Sequence, residues 1–134
     1  MTGYSGTSLA SKLGIGPGAV VYLRTAPDRY HELLAPLPEG VTFSSRPSKK
    51  TDLVQLFVVQ KAVLATSLRN LRRTLRPDAV VWVSWPKKAA KVPTDITEET
   101  IRNTALPLGF VDVKVCAVTE IWSGLKLVVR KELR

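Results

Sequence analysis

Residues 79–91 read Ala-Val-Val-Trp-Val-Ser-Trp-Pro-Lys-Lys-Ala-Ala-Lys, an apolar run that meets a proline and then three lysines. A strand shows polar alternation when one of its faces is wet. This run shows almost none, which is how a strand reads when helices cover both faces, as in the middle of a parallel sheet. Leu53–Val59 reads the same way. Between the two lies a helical segment, about Ala62–Leu75, ended by Pro77. Its Leu64, Leu68, Leu71 and Leu75 share a narrow arc at about 100° per residue and should pack on the sheet.

Working outward, the same pattern of short strands and helices continues. Thr7 or Ser8 can cap a short helix through Leu13, stopped by Gly14. Gly14–Gly18 forms a turn into the strand Ala19–Leu23. Pro27–Leu34 reads as a helix with Tyr30, Leu33 and Leu34 on one face, and Val41–Phe43 as a short strand. Ser44–Asp52 is a basic loop. Beyond the lysines, Asp95 or Thr97 opens a helix that ends near Leu106–Gly109. Strands Asp112–Thr119 and Leu125–Lys131 follow, joined by Glu120–Gly124 as a hairpin connection. This order predicts one α/β domain over residues 1–134, with residues 1–14 as an N-terminal helical segment. The expected architecture is three-layered and Rossmann-like: a mostly parallel sheet, an antiparallel terminal strand, and helices on both faces.

Composition narrows the function classes. The chain has 134 residues and a net charge of +9, with one cysteine and one histidine. That excludes an internal disulfide framework and a Cys/His zinc site, so no metal is expected. No leader-like or membrane-spanning stretch is visible, and the expected location is cytoplasmic. The positive charge favours an anionic partner: nucleic acid, a phosphorylated metabolite or an acidic protein.

In open α/β sheets ligands sit outside the carboxyl ends of the strands. Arg24, Lys61, Lys87 and Lys88 each follow such an end, which predicts a single basic crevice. Lys87, Lys88 and Lys91 would supply charge and Trp85 and Trp122 apolar walls, with Ser123 and Lys126 added if residues 122–126 fold back over it. Arg69, Arg72, Arg73 and Arg76 form a second stripe, read as a solvated helix face. Asp95, Glu98 and Glu99 read as helix caps and dipole partners. No catalytic residue stands out.

Four segments carry a family resemblance: Pro17–Leu23, Asp52–Phe57, Leu75–Val83 and Leu108–Val113. In that order they resemble class I SAM-dependent methyltransferases in a shortened form, with the Ser44–Asp52 loop standing where a helix, a strand and a helix are usual. The resemblance implies SAM as cofactor. The turn Leu23–Asp28 departs from it, having Arg24, Ala26 and Asp28 where glycines are usual, and Phe43-Ser44 closes the second strand without a carboxylate. The blocks Thr2–Thr7, Trp82–Lys88, Val92–Asp95, Val113–Val118 and Trp122–Lys126 also resemble an uncharacterised bacterial family, which implies a cytoplasmic bacterial protein and no activity. The preferred reading is a non-catalytic module that binds an anionic ligand and needs no cofactor. The alternatives are an atypical SAM-dependent methyltransferase with a degenerate cofactor loop and a docking module for an acidic protein.

Overall fold

The computed structural model describes residues 7–134; Thr2–Gly6 of the first family-like block lie outside them. The elements are α1 (Leu9–Leu13), β1 (Val20–Arg24), α2 (Tyr30–Leu34), β2 (Thr42–Ser44), β3 (Leu53–Phe57), α3 (Lys61–Thr74), β4 (Val80–Pro86), α4 (Glu98–Ala105), β5 (Phe110–Ala117) and β6 (Trp122–Val129). The strands form one six-stranded sheet in the order β2-β1-β3-β4-β6-β5. β6 alone runs against the rest, pairing antiparallel with both β4 and β5. The expected α/β architecture is therefore present.

Strand parity assigns each side chain to a face. Val54, Leu56, Val81, Val83, Trp85 and Leu125 point to the side covered by α3 and α4, where Leu64, Leu68, Leu71 and Ile101 complete a buried cluster. Leu64, Leu68 and Leu71 of α3 and Leu75 at its C-cap all join the buried cluster on the sheet; each contributes roughly 1.5–3 kcal/mol of transfer free energy. Val21, Leu53, Phe57 and Trp82 point the other way, under Ala10 and Leu13 of α1 and Tyr30 and Leu34 of α2. Trp82 joins the layers directly, since its Nε1 donates to the Leu13 carbonyl at 2.8 Å.

Three sequence expectations change. The helix expected over Pro27–Leu34 is confined to α2, because Thr25 and Arg29 take left-handed backbone angles, φ 58° and 63°. Leu33, expected on its inward face, is half exposed at 51%. The hairpin expected at Glu120–Gly124 is shorter, since Trp122, Ser123 and Gly124 already pair with Pro86, Trp85 and Ser84. Gly124 is in the strand for close approach, not for a turn. A Cβ there would stand 3.2 Å from the Trp82 ring and 3.0 Å from the Val118 side chain.

Candidate functional site

The carboxyl edge of the sheet is formed by the ends of β1, β2, β3, β4 and β5 together with the start of β6. Two features shape it. Lys87, the first residue past β4, donates its backbone N–H to the Ile121 carbonyl at 2.7 Å, so the β5–β6 hairpin is tied to the strand exit. Within the hairpin, Thr119 Oγ1 accepts from the N–H groups of Ile121 and Trp122, both at 3.0 Å. The connection is held by its own hydrogen bonds.

Against this hairpin α1 and α2 leave a groove of about 580 Å³. Leu9, Leu33, Val118 and Ile121 give it an apolar lining, with Lys12, Lys87 and Glu120 as its charged groups. Its size falls in the range of small-molecule sites, roughly 300–1,000 Å³. Leu33 and Ile121 are bulky side chains left half exposed at its rim, at 51% and 45%. Sequence reasoning missed Leu9, Leu33, Val118 and Ile121 because they come from three elements far apart in the chain. The one available signal was an apolar pair, Leu33 and Leu34, too wide for a five-residue helix to bury.

The basic crevice expected from the sequence does not form as one site. Lys87 lines the groove on the α1 side. Arg24 instead lines a shallow hollow of about 310 Å³ on the α3 side, with Val63, Thr66, Ser67 and Asn70. Trp85 is 9% exposed and belongs to the α3–α4 core, so it walls no crevice. Trp122, on the opposite face, packs edge-on to Phe57 at 5.1 Å. Adjacent residues of a strand point to opposite faces, and Trp85 pairs with Ser123, not Trp122; that parity separates the two indoles. Ser123 follows Trp85 onto the α3 side. Lys126 does not fold over the edge either; it lies well inside β6, opposite Trp82. Lys88 and Lys91 are exposed on a 3-10 turn just past the edge.

Lys61 opens α3, and the helix N-terminus there is already occupied. Gln60 provides no side-chain cap. Asp95 reaches across from the segment before α4, and its carboxylate accepts the Lys61 N–H at 2.7 Å. The same segment is anchored by Thr94 Oγ1, which donates to the Val59 carbonyl at 2.7 Å. Of the two residues expected to open α4, Asp95 and Thr97, it is Thr97 that caps it, its side chain accepting from the Thr100 N–H. Asp95→Ala is expected to destabilise the chain by about 1 kcal/mol, measured as a shift in denaturation midpoint, while Glu99→Ala changes it by less than half as much.

The arginine stripe is also partly structural. Arg72 Nε donates to the Leu108 carbonyl at 3.1 Å, and Arg76 pairs with Asp52 and Asp78. Only Arg69 and Arg73 are exposed, bonded within α3 to Thr66 and Asn70.

An adenosyl cofactor needs a backbone it can approach closely at the end of the first strand. The turn Arg24–Asp28 carries a side chain at each position, and one of them, Thr25, is in the left-handed region. β2 ends in Ser44, whose buried Oγ has no hydrogen-bond partner, and brings no carboxylate for ribose hydroxyls. Gly14, Gly16 and Gly18 lie before β1, at the opposite edge, where Gly18 N–H donates to the Glu39 carbonyl at 2.8 Å. The residues after β1 therefore do not fit a SAM site of the glycine-turn kind. Among the described residues no group of His, Cys, Asp and Glu is placed to hold a metal, and no helix is long and apolar enough to cross a membrane.

No family model matches the chain, and no curated protein does. Solved structures do. A SAM-dependent methyltransferase from Aquifex aeolicus is similar with a TM-score of 0.65 at 13% identity, over 91% of this chain and 88% of that one. A protein of Sulfolobus solfataricus assigned to the type 11 methyltransferases gives 0.64 at 15% identity, over 92% and 90%. A protein of Bordetella parapertussis described as exported gives 0.64 at 12%, over 90% of this chain but only 65% of its own length. At such identities the likeness shows the fold: a Rossmann-like α/β sandwich of the methyltransferase type.

Proposed function

We propose that this chain uses a methyltransferase-type fold to bind a small amphipathic anion in the groove between α1, Leu33 and the β5–β6 hairpin. The observation that carries this reading is the groove itself. It is concave, largely apolar and at the carboxyl edge, lined by Leu9, Leu33, Val118 and Ile121 with Lys87, Lys12 and Glu120 as its charged groups. An apolar body would bury against those four side chains while a carboxylate or phosphate met Lys87. A charge-assisted contact of this kind is worth roughly tenfold in affinity.

The test is a thermal-shift survey of aliphatic and aromatic carboxylates and phosphate esters, followed by calorimetry on any that bind. Lys87→Gln should weaken such a ligand by about tenfold with little change in the stability of the free protein. Binding that ignores Lys87→Gln, or a survey with no binder, overturns the reading.

SAM-dependent methyl transfer is the second reading. The fold neighbours support it better than they support a non-catalytic module, whereas the Arg24–Asp28 turn weighs against it. Titration with S-adenosylhomocysteine separates the two. Saturable binding at micromolar strength would favour an enzyme with a rearranged cofactor loop; absence of heat from a folded sample would leave the groove reading in place.

A further inference from the structure

On the α1 side of the sheet, one pairing runs against the rules of strand stability. Trp82 stands opposite Lys126 across β4 and β6, and Lys126 stands opposite Lys114 across β6 and β5. Side chains on one such row share a face, so two ammonium groups project from neighbouring strands roughly 5 Å apart at their bases. Like charges directly opposite each other destabilise an antiparallel pair. Among the described residues neither lysine forms an ion pair. The next pair toward the far end of the ribbon on the same face is Val111 with Val128, both only half-buried and outside the cluster under α1 and α2.

The neighbourhood adds positive charge and little negative. Lys12 of α1 lines the groove beside Ala117 and Val118, next to the end of the same ribbon. Asp112, the acidic residue of β5, faces the other side and is held by Arg102 at 2.8 Å. Glu120 belongs to the groove at the hairpin end. On this face Lys114 is exposed and Lys126 half-buried, and neither lines the groove. A cross-strand pair of lysines on a chain of net charge +9 is complementary to an extended polyanion.

We propose that the α1-side face of the β5–β6 ribbon binds the phosphate backbone of a nucleic acid, with Lys114 and Lys126 as its phosphate contacts and Lys12 flanking them. The proposal rests on Lys114 and Lys126, neither of which lines the groove, whereas Lys12 borders both. Its test is fluorescence anisotropy with a labelled mixed-sequence oligonucleotide of about 20 nucleotides, single-stranded and duplex, titrated with the full chain between about 50 and 200 mM salt. Wild-type affinity should fall steeply and linearly on a log–log plot. The Lys114→Gln/Lys126→Gln double variant should flatten that slope by about one unit per lysine. Arg69→Gln/Arg73→Gln, which removes two exposed cations of α3, should leave the slope in place. An unchanged slope in the first variant, equal flattening in the second, or binding to anionic lipid vesicles without binding to either oligonucleotide overturns the proposal.

Discussion

Trp82→Ala is expected to lower the unfolding free energy by about 3–5 kcal/mol, a large part of the 5–15 kcal/mol that holds a typical domain together. The ring is fully buried and packs with Val21, Leu53 and Phe57 in the layer under α1 and α2. Its Nε1–H satisfies the Leu13 carbonyl, the last residue of α1. Gly124 is without a side chain where the ring passes over β6, so no neighbour can swing in to fill the space alanine would leave. Trp82→Phe separates volume from hydrogen bond. It keeps most of the ring and leaves the Leu13 carbonyl unpaired, at a cost of about 1–3 kcal/mol. Urea denaturation followed by far-ultraviolet circular dichroism reads both. Losses below 1 kcal/mol in both variants would mean that α1 is not held to the sheet through this indole. With the expected losses α1 loosens, the groove loses the wall that Leu9 supplies, and ligand binding falls along with stability.

How legible the molecule was in its sequence depends on the range of the interaction involved. The uninterrupted apolar runs at 53–59 and 79–85 mark the central strands correctly, because burial on both faces is a local property of a strand. The leucine spacing of α3 is equally local. Site geometry is not. Lys87, Lys88, Lys61 and Arg24 do follow strand ends, yet strand parity puts Arg24 in a hollow on the α3 side, while Lys87, past the end of β4 and tied to Ile121, lines the groove on the α1 side. Trp85 and Trp122 read as walls of one crevice because Trp85 sits at a strand exit over which residues 122–126 could fold back. One residue of register puts them back to back. Gly124 gave a turn signal for a reason that only a tertiary contact explains. The groove's apolar lining comes from positions 9, 33, 118 and 121, and no spacing rule connects those.

Asp52 and Arg76 carry the same lesson into a measurement of pH dependence. The sequence places Arg76 in a solvated stripe and Asp52 at the end of a basic loop. In the fold the Asp52 carboxylate accepts the Val20 N–H at 2.7 Å with one oxygen and pairs with the Arg76 guanidinium through the other. Arg76 also donates to the Lys49 and Thr51 carbonyls at 3.0 and 3.2 Å. The loop, the start of β1 and the end of α3 thus meet at one ionic contact. The Val20 N–H first, and Arg76 with it, hold the Asp52 carboxyl below its ordinary range. A carboxyl with a depressed folded-state pKa contributes stability above its unfolded value, roughly 3.9, and loses it as pH falls through the folded value. The side chains are 33% and 38% exposed, so solvent screening holds the contribution to about 1.5 kcal/mol, the low end for hydrogen bonds to charged groups. Asp52→Asn should therefore destabilise the chain by about that amount at neutral pH. Asp112, depressed by Arg102, and Glu32, depressed by Arg29, are also lowered, so the wild-type curve alone would mix the three. The difference between wild type and Asp52→Asn isolates Asp52. It should stay constant from about pH 7 to 5 and shrink as the pH drops below about 4. A difference that persists undiminished in acid would assign the effect to packing of the loop and not to the carboxylate's charge.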